Sequence, residues 1–233
     1  MENVFIETAN TRKFFKLCDE LTDKTSLIGP SLAMVTGPAG RGKSEAAKHF
    51  ATQTDAVYIP PMNVRSPAMV LREIAFELAK IKPTRTDACL QTIGDEMSKM
   101  RRLVIIDEAD LLPLQILEML RNVNERYACP ILLIGEDELR GKIASRRRLA
   151  SRIRRKMDFL PVTQGDVSFF FEKALNIKLS ADVAAVILNH AKGDWRPVLT
   201  TAIGIERSVR ASAKGSNGDS VTGELVKEVI KSG

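Results

Sequence analysis

Eight consecutive residues of this chain have the types and the spacing needed to hold a phosphate group. Residues 37–44 fit the pattern G-x-x-x-x-G-K-[S/T] at each fixed position. In such a loop, backbone N–H groups surround the phosphate oxygens, Lys43 binds the outer phosphates and the Ser44 hydroxyl holds Mg²⁺. The segment therefore predicts a nucleotide site. Its predicted nucleotide-binding residues are Gly37, Pro38, Ala39, Gly40, Arg41, Gly42, Lys43 and Ser44.

Two acidic residues further along the chain have the placement of a metal-binding group and a water-activating group. Leu103 to Ile106 is an uninterrupted apolar run, typical of a parallel strand buried on both faces, and Asp107 and Glu108 follow it. Because ligands gather at the carboxyl ends of strands in open α/β sheets, this pair is expected beside the phosphate loop. Asp107 would hold Mg²⁺ through water, and Glu108 would polarise the attacking water. A strand that simply ends in solvated acids is the alternative.

The composition indicates a cytoplasmic protein with a packed interior. No stretch reaches the ~20 consecutive apolar residues of a membrane span, and the first residues form no export signal. We therefore expect a cytoplasmic location and no membrane partner. The cysteines and histidines lack metal-binding spacing, so we interpret all five as structural or incidental. They are Cys18, Cys89, Cys129, His49 and His190.

Positive charge is concentrated in one segment. The whole chain carries a net charge of +6, whereas residues 138–156 contain nine basic residues and one acidic residue, a net +8. We name residues 138–156 the basic segment. It can attract a polyanion or an acidic surface of a neighbouring subunit. A solvated charged face is an equally good interpretation of the arginines at 146–148.

The elements that must position these residues alternate between strand and helix, and then become helices only. Strands are predicted at 32–36, 56–59, 103–106, 130–134 and 157–160. Helices are predicted at 10–22, 44–51, 68–81, 86–100, 113–124, 166–175, 180–191, 194–213 and 222–231. This order predicts an α/β fold: a nucleotide-binding core with a doubly wound parallel sheet over residues 1–160, and a small helical lid domain over 161–233.

Taken together, these motifs resemble the AAA+ ATPases. The resemblance rests on the phosphate loop, the strand ending in Asp107 and Glu108, the segment Leu149-Ala150-Ser151-Arg152-Ile153, and the segment Gly193-Asp194-Trp195-Arg196. It implies ATP and Mg²⁺ as cofactors. It also implies that Arg152 reaches the ATP of a neighbouring subunit and that Arg196 senses the γ-phosphate from the lid. Either charge would stabilise negative charge that develops on phosphoryl oxygens. By composition alone, both arginines could be ordinary surface residues.

One position departs from the AAA+ pattern. The fourth strand of these proteins usually ends in a small polar residue that orients the water, whereas here Gly135 and then Glu136 follow the strand. A carboxylate at this place predicts slow hydrolysis rather than a fast motor.

Within that superfamily the chain resembles the DNA-transposition ATPases of the phage Mu B protein, TnsC and IstB group. The resemblance includes the opening Val4–Asn10, Ile105–Asp110 and Gly193–Pro197. It implies assembly with ATP into helical filaments on duplex DNA in a bacterial host cell, presentation of that DNA to a transposase, and disassembly on hydrolysis. The chain begins almost directly at the ATPase core, so we expect no separate N-terminal helix-turn-helix module.

If that resemblance holds, the ATPase core must bind the DNA backbone itself. Lysine and arginine on phosphates suffice for binding that is sequence-tolerant and salt-dependent. The family places such contacts in the loop after the second strand and near the end of the helix that follows. The matching positions are Arg65, Lys82, Thr84 and Arg85. Each could also be an ordinary loop residue, and the few aromatic residues disfavour a single-strand binder that stacks bases.

Three functions therefore remain open. The first is an ATP-switched factor with slow, DNA-stimulated ATPase activity that delivers duplex DNA to a transposase. The second is a helicase loader of phage or plasmid replication, which would prefer single strands. The third is a regulatory ATPase for protein clients, in which the basic segment is only a subunit interface. DNA stimulation of hydrolysis separates the first from the third, and strand preference separates the first from the second.

Overall fold

A computed structural model of the chain describes residues 4–23, 31–61, 66–212 and 221–232. The chain divides into two compact units. The α/β unit comprises residues 9–38 and 43–159, and the helical unit comprises residues 1–8, 39–42 and 160–233. The middle of the phosphate loop therefore groups with the C-terminal helices. The boundary at 160/161 between two domains of the chain stays a prediction.

Strands and helices alternate in the α/β unit. The strands are β1 (Leu32–Thr36), β2 (Val57–Ile59), β3 (Val104–Ile106), β4 (Ile131–Ile134) and β5 (Ile153–Asp158). The helices of this unit are α1 (Ala9–Thr22), α2 (Lys43–Gln53), α3 (Pro67–Ala79), α4 (Thr86–Lys99), α5 (Leu114–Tyr127), α6 (Asp137–Ala144) and α7 (Arg147–Ala150). A 3-10 turn covers Ala109–Leu111.

The five strands form one parallel sheet in the order β2-β3-β4-β1-β5. All residues of β1, β3 and β4 are buried, as the uninterrupted apolar runs predict for strands covered on both faces. The predicted α/β fold with a parallel sheet is confirmed. Because β4 lies between β1 and β3, the segments that follow these three strands emerge side by side at one edge of the sheet.

The predicted bounds of the fifth strand were wrong. The strand covers Ile153–Asp158 instead of 157–160, and among the described strands it pairs with β1. On this edge strand, Ile153 is buried whereas Arg154 and Lys156 are exposed, so a sequence rich in arginine can still form a strand. Helices α6 and α7 were not predicted either, because their many charged residues were interpreted only as a basic segment.

Two hydrophobic cores pack against the sheet of the α/β unit. One contains buried residues of α3, α4 and α5, and the other contains buried residues of α1 and α2. Phe14 of α1 is fully buried and makes edge contacts with Phe50 and Phe159, at ring-centroid distances of 6.5 Å and 5.9 Å. These cores fix the strand ends that carry the predicted site residues.

The helical unit has its own core. Its helices are α8 (Gln164–Leu175), α9 (Ala181–Ala191), α10 (Trp195–Ser212) and α11 (Gly223–Ser232). Thr163 and Asp166 form a capping box at the start of α8, and the Ser180 side chain caps α9. Across the described ranges, each helix is too short or too polar to cross a membrane.

Candidate functional site

The phosphate loop begins where β1 ends. Gly37 has a φ of +148°, and a side chain there would come within 2.9 Å of the Phe159 carbonyl oxygen. Phe159 is held beside β1 because its N–H donates a 2.8 Å hydrogen bond to the carbonyl of Thr36. Only glycine avoids both the unfavourable φ and the collision. The first glycine of the motif is therefore required by the packing of the loop against the residue that follows β5.

Lys43, the first residue of α2, is folded against the start of the loop. Its Nζ donates hydrogen bonds to the carbonyl oxygens of Gly37 at 2.6 Å and Pro38 at 2.9 Å, and the residue is only 8% exposed. Burial lowers the pKa of Lys43, while the carboxylates of Glu136 and Asp107 oppose that change. An ammonium group has three donors, so two carbonyls leave one donor for a phosphate oxygen. Ser44 is half-buried beside it.

The middle of the loop belongs to the helical unit and contacts the turn before α10. The Trp195 N–H donates a 2.9 Å hydrogen bond to the Gly40 carbonyl, and the Arg41 guanidinium donates to the Gly193 carbonyl. Gly193 has a φ of +78°, and a side chain there would collide with Arg41. Residues 193–195 thus pack against residues 40–42 within the helical unit. Arg196 is exposed on the first turn of α10, and its backbone N–H donates to the Asp194 carboxylate at 2.7 Å.

Asp107 and Glu108 lie at the end of β3, as the sequence predicts for these two residues. Asp107 is buried, with 4% exposure, and accepts a hydrogen bond from the Tyr58 hydroxyl at 2.6 Å. The Glu108 N–H donates to the other Asp107 carboxylate oxygen at 2.9 Å. Glu108 itself is exposed and has left-handed backbone angles, φ 48° and ψ 40°, so the chain turns sharply after the buried acid.

A third and a fourth carboxylate share this edge of the sheet. The Glu136 N–H donates a 3.0 Å hydrogen bond to the Asp110 carboxylate, which places the end of β4 against the turn after β3. Burial, followed by the charges of Asp107, Asp110 and Glu136, raises the pKa of Glu108 above its usual value. Glu108 is therefore more basic than a free glutamate. The carboxylates of Asp107, Asp110 and Glu136 all act on Lys43 as well.

Most of the basic segment makes contacts within the α/β unit. Arg152, predicted to reach a neighbouring subunit, is exposed and pairs with Glu125 of α5. Arg155 pairs with Glu20 at 3.0 Å. Arg140 and Arg146 pair with Asp158 and Glu118, and Lys142 donates to the carbonyls of Asp110 and Leu112. Segment charge alone therefore overstates the charge available to a partner.

Three of the four predicted DNA-contacting residues lie on one loop of the structure. Arg65 lies outside the described residues. Lys82, Thr84 and Arg85 are exposed on the connection between α3 and α4. The guanidinium of Arg72 supports this loop by donating to the carbonyls of Pro83 at 3.1 Å and Thr84 at 3.0 Å.

Sequence patterns did not identify Tyr58, Arg41 or Arg72 as supporting residues. Tyr58 could have been found from sheet periodicity, since it lies on β2 one residue before the strand ends. The hydrogen bond of Arg41 joins residues that are 152 positions apart in the chain. Those of Arg72 join residues that are 11 and 12 positions apart. No local pattern signals such contacts.

The fold and the site together define the class of protein. Residues 28–143 match the AAA domain family, and the sheet, the phosphate loop after β1 and the acidic pair after β3 are those of a P-loop AAA+ core, which a helical C-terminal region accompanies. The chain belongs to the AAA+ ATPases.

Two relatives of the chain are DNA-transposition proteins. The chain is similar to the Mu-like prophage FluMu DNA transposition protein B of Haemophilus influenzae, with 33% identity over 58% of this chain and 46% of that protein. It is also similar to the ATP-dependent target DNA activator B of Escherichia phage Mu, with 26% identity over 70% of this chain and 54% of that protein. The chain spans about half the length of these relatives.

Solved structures share the fold at low sequence identity. The Aeropyrum pernix ORC2 protein, in ADPNP-ADP complexes, has a TM-score of 0.68 and 17% identity, covering 99% of this chain and 70% of that one. The Aeropyrum pernix ORC1 protein, in complex with DNA, has a TM-score of 0.64 and 18% identity, covering 99% of this chain and 66% of that one. These likenesses concern the fold alone.

Proposed function

We propose that this chain is an ATP-dependent, sequence-nonspecific binder of duplex DNA that assembles into helical filaments on target DNA. It recruits and activates a transposase, and it leaves the DNA when ATP is hydrolysed. The observation that carries the proposal is the convergence of Lys43, Asp107 and Glu108 at one edge of the sheet. The names of the relatives, a DNA transposition protein and a target DNA activator, support a function in DNA transposition.

Two side chains, that of Ser44 on α2 and that of Asp107 after β3, fit Mg²⁺. Ser44 and Asp107 offer hydroxyl and carboxylate oxygens, and Mg²⁺ typically binds through one or two carboxylates together with phosphate oxygens and water. Within the described part of the chain, no three His, Cys, Asp or Glu side chains are arranged to hold a metal ion by themselves. A nucleotide-bound Mg²⁺ does not require three such side chains, because phosphate oxygens and water supply its other ligands. When bound, Mg²⁺ would neutralise charge on the phosphates.

The phosphate loop would hold the triphosphate through Lys43 and the N-terminus of α2. Lys43 begins this helix, where backbone N–H groups lack intrahelical partners and the helix dipole favours an anion. The free donor of Lys43 would bind the outer phosphates. Residues 39–42 and Arg196 lie in the helical unit, and Arg196 would respond to the γ-phosphate from the lid.

Glu108 would accept a proton from the attacking water. Its raised pKa makes it a better base than an ordinary glutamate. Glu136 adds negative charge near the same place, which opposes the binding of a triphosphate and favours slow turnover. Arg152 would add positive charge to the ATP of the adjoining subunit, so hydrolysis would depend on assembly. DNA would stimulate hydrolysis by promoting that assembly.

The loop between α3 and α4 would contact the DNA backbone. The Arg85 side chain is 80% exposed and pairs with Asp87, which is also exposed, at 2.9 Å. Such an exposed ion pair contributes little to the stability of the fold. Arg85 can therefore exchange the Asp87 carboxylate for a DNA phosphate at a small cost in free energy. Lys82 and Thr84 would contact the same backbone, and Arg65 would contact it from the loop after β2. None of these contacts requires a particular base.

The proposal is tested by electron microscopy of the protein with duplex DNA in the presence of ATP, a slowly hydrolysed analogue, or ADP. Single-stranded DNA is the control. We expect continuous filaments on the duplex with either triphosphate and none with ADP. Discrete rings that prefer single strands would instead support a helicase loader, and particles indifferent to DNA would support a protein-directed ATPase.

A matched pair of variants tests the DNA path. Lys82→Ala with Arg85→Ala should weaken duplex binding equally for unrelated sequences and lower the salt slope by about 2, which is roughly one for each lost phosphate contact. The control is Arg147→Ala with Arg148→Ala, which removes the same charge from exposed residues of α7. The reverse result, with only the α7 pair affecting binding, would move the DNA path to the basic segment.

A further inference from the structure

Tyr58 contacts the predicted metal-binding carboxylate from a neighbouring strand. Its hydroxyl donates a 2.6 Å hydrogen bond to Oδ2 of Asp107. The residue is half-buried on β2, which is the outermost strand on one side of the sheet. It belongs to none of the sequence motifs that define the site. Its position therefore raises the question of what the hydroxyl does for Asp107.

The parallel register explains why this contact forms. Tyr58 is aligned with Ile105 on β3, and the Asp107 N–H donates to the Ile59 carbonyl at 3.1 Å. Side chains two residues apart along a strand point to the same face, so Asp107 projects on the face of Ile105 and of Tyr58. The sheet geometry thus brings the phenol to the acid without any special loop.

The two oxygens of Asp107 each accept one hydrogen bond. Oδ2 accepts from Tyr58, and Oδ1 accepts from the Glu108 N–H at 2.9 Å. The carboxylate cannot rotate about its χ2 angle without losing both bonds. Each carboxylate oxygen can accept a second hydrogen bond, so the fixed orientation still leaves lone pairs for a metal-bound water.

Tyr58 remains the donor in this pair. Burial raises the pKa of its phenol, and the hydrogen bond to Asp107 and the charge of that residue raise it further. An ordinary phenol is protonated at neutral pH, so the hydroxyl donates and the carboxylate accepts. A donor to a buried carboxylate both compensates for lost hydration and fixes its direction.

We propose that Tyr58 is a positioning residue, which holds the Asp107 carboxylate in the orientation required by the water shell of nucleotide-bound Mg²⁺. This inference rests on the role proposed above for Asp107. Partners of this kind commonly change metal affinity 10- to 100-fold when they are removed. A hydrogen bond that only satisfied a buried acid would not affect the metal selectively.

The test compares Tyr58→Phe with Tyr127→Phe, which removes the hydroxyl of the chain's other tyrosine. Tyr127 is half-buried on α5, where its ring contacts the Arg126 guanidinium at 5.3 Å. The binding of a slowly hydrolysed ATP analogue is measured by titration calorimetry over a range of Mg²⁺ concentrations and also in EDTA. Thermal unfolding is recorded for each variant.

For Tyr58→Phe we expect the Mg²⁺ concentration at half-maximal enhancement of binding to rise about tenfold. Binding in EDTA should remain unchanged, and Tyr127→Phe should match the unsubstituted protein in both conditions. A purely structural role for Tyr58 would instead weaken binding with and without Mg²⁺ alike and lower the unfolding temperature. That result, or an unchanged Mg²⁺ dependence, would overturn the inference.

Asp107→Asn separates this inference from the proposed function. If Asp107→Asn alters the Mg²⁺ dependence and Tyr58→Phe does not, only the positioning role of Tyr58 is wrong. If Asp107→Asn also leaves the Mg²⁺ dependence unchanged, the proposed role of Asp107 fails and the inference fails with it. When the inference holds, Tyr58→Phe should have no further effect on the Mg²⁺ dependence once Asp107 is replaced by Asn.

Discussion

Two charged regions of the α/β unit are built in opposite ways. At the end of the central strands, the fold gathers carboxylates around the ammonium group of Lys43. In the basic segment, the fold instead supplies partners: Arg140, Arg146, Arg152 and Arg155 each pair with an acidic side chain. The first region keeps its excess charge concentrated, whereas in the second region four of the nine basic side chains are paired with acids.

The difference shows that a count of charges does not locate a binding site. The basic segment has a net +8 in the sequence, yet at least five of its basic side chains contact acids or carbonyls of the same unit. The strand ends carry less charge but hold it in fixed positions, where burial and like charges raise the pKa of Glu108 and burial lowers that of Lys43. Concentrated charge of this kind favours a charged ligand and a metal ion.

The largest effect is expected at the centre of the first region. Lys43→Ala should reduce ATP affinity by more than about 100-fold, because it removes the proposed charge-assisted phosphate contact and leaves the Gly37 and Pro38 carbonyls without their donor. Equilibrium binding of a fluorescent ATP analogue measures the change. Lys48→Ala, an exposed lysine of the same helix that pairs with Glu45, should bind normally. Equal losses in both variants would contradict the assignment.

The next effect separates nucleotide binding from hydrolysis. Glu108→Gln should retain ATP affinity but lower the hydrolysis rate by roughly 10²- to 10⁴-fold, since the amide cannot accept a proton from water. Filaments formed by this variant should persist after ATP addition, as followed by light scattering. Glu118→Gln is the control from the second region. If the Glu108 variant disassembled at the normal rate, another residue would activate the water.

A smaller effect on ATP turnover should follow when one carboxylate is removed from the strand ends. Glu136→Asn removes a carboxylate that opposes the binding of a triphosphate and introduces a small polar residue just after β4. We expect ATP turnover to rise about threefold to tenfold, measured as steady-state phosphate release in the presence of duplex DNA. A fall in turnover would instead indicate that the Glu136 carboxylate takes part in the reaction.

The smallest effect is expected in the second region. Glu118→Gln weakens an exposed pair whose Nε to Oε1 distance is 3.8 Å, so the free energy of unfolding should fall by less than about 1 kcal/mol. Urea denaturation measures this change. Phe14→Ala is the reference for a large loss, about 3–5 kcal/mol, because Phe14 is fully buried. A loss above 2 kcal/mol for the Glu118 variant would mean that the segment is structurally essential.

Several parts of the fold and the candidate site were predictable because their signals are local. The apolar runs of β1, β3 and β4 indicate buried parallel strands, and the placement of Asp107 and Glu108 after β3 follows directly. The bounds of β5 were not predictable in the same way. On an edge strand, one neighbour and solvent exposure allow arginines that would be excluded from the centre of the sheet.

By itself the sequence determined the phosphate loop, the acidic strand end and the alternation of strands and helices, since each depends on residues close together in the chain. Only the tertiary structure decided which charges stay concentrated and which are paired. It brought Tyr58 and Asp107, and likewise Glu136 and Asp110, into hydrogen-bond contact, and it paired Glu125 with Arg152. Those contacts depend on strand order and helix packing, which bring together residues 26 to 49 positions apart.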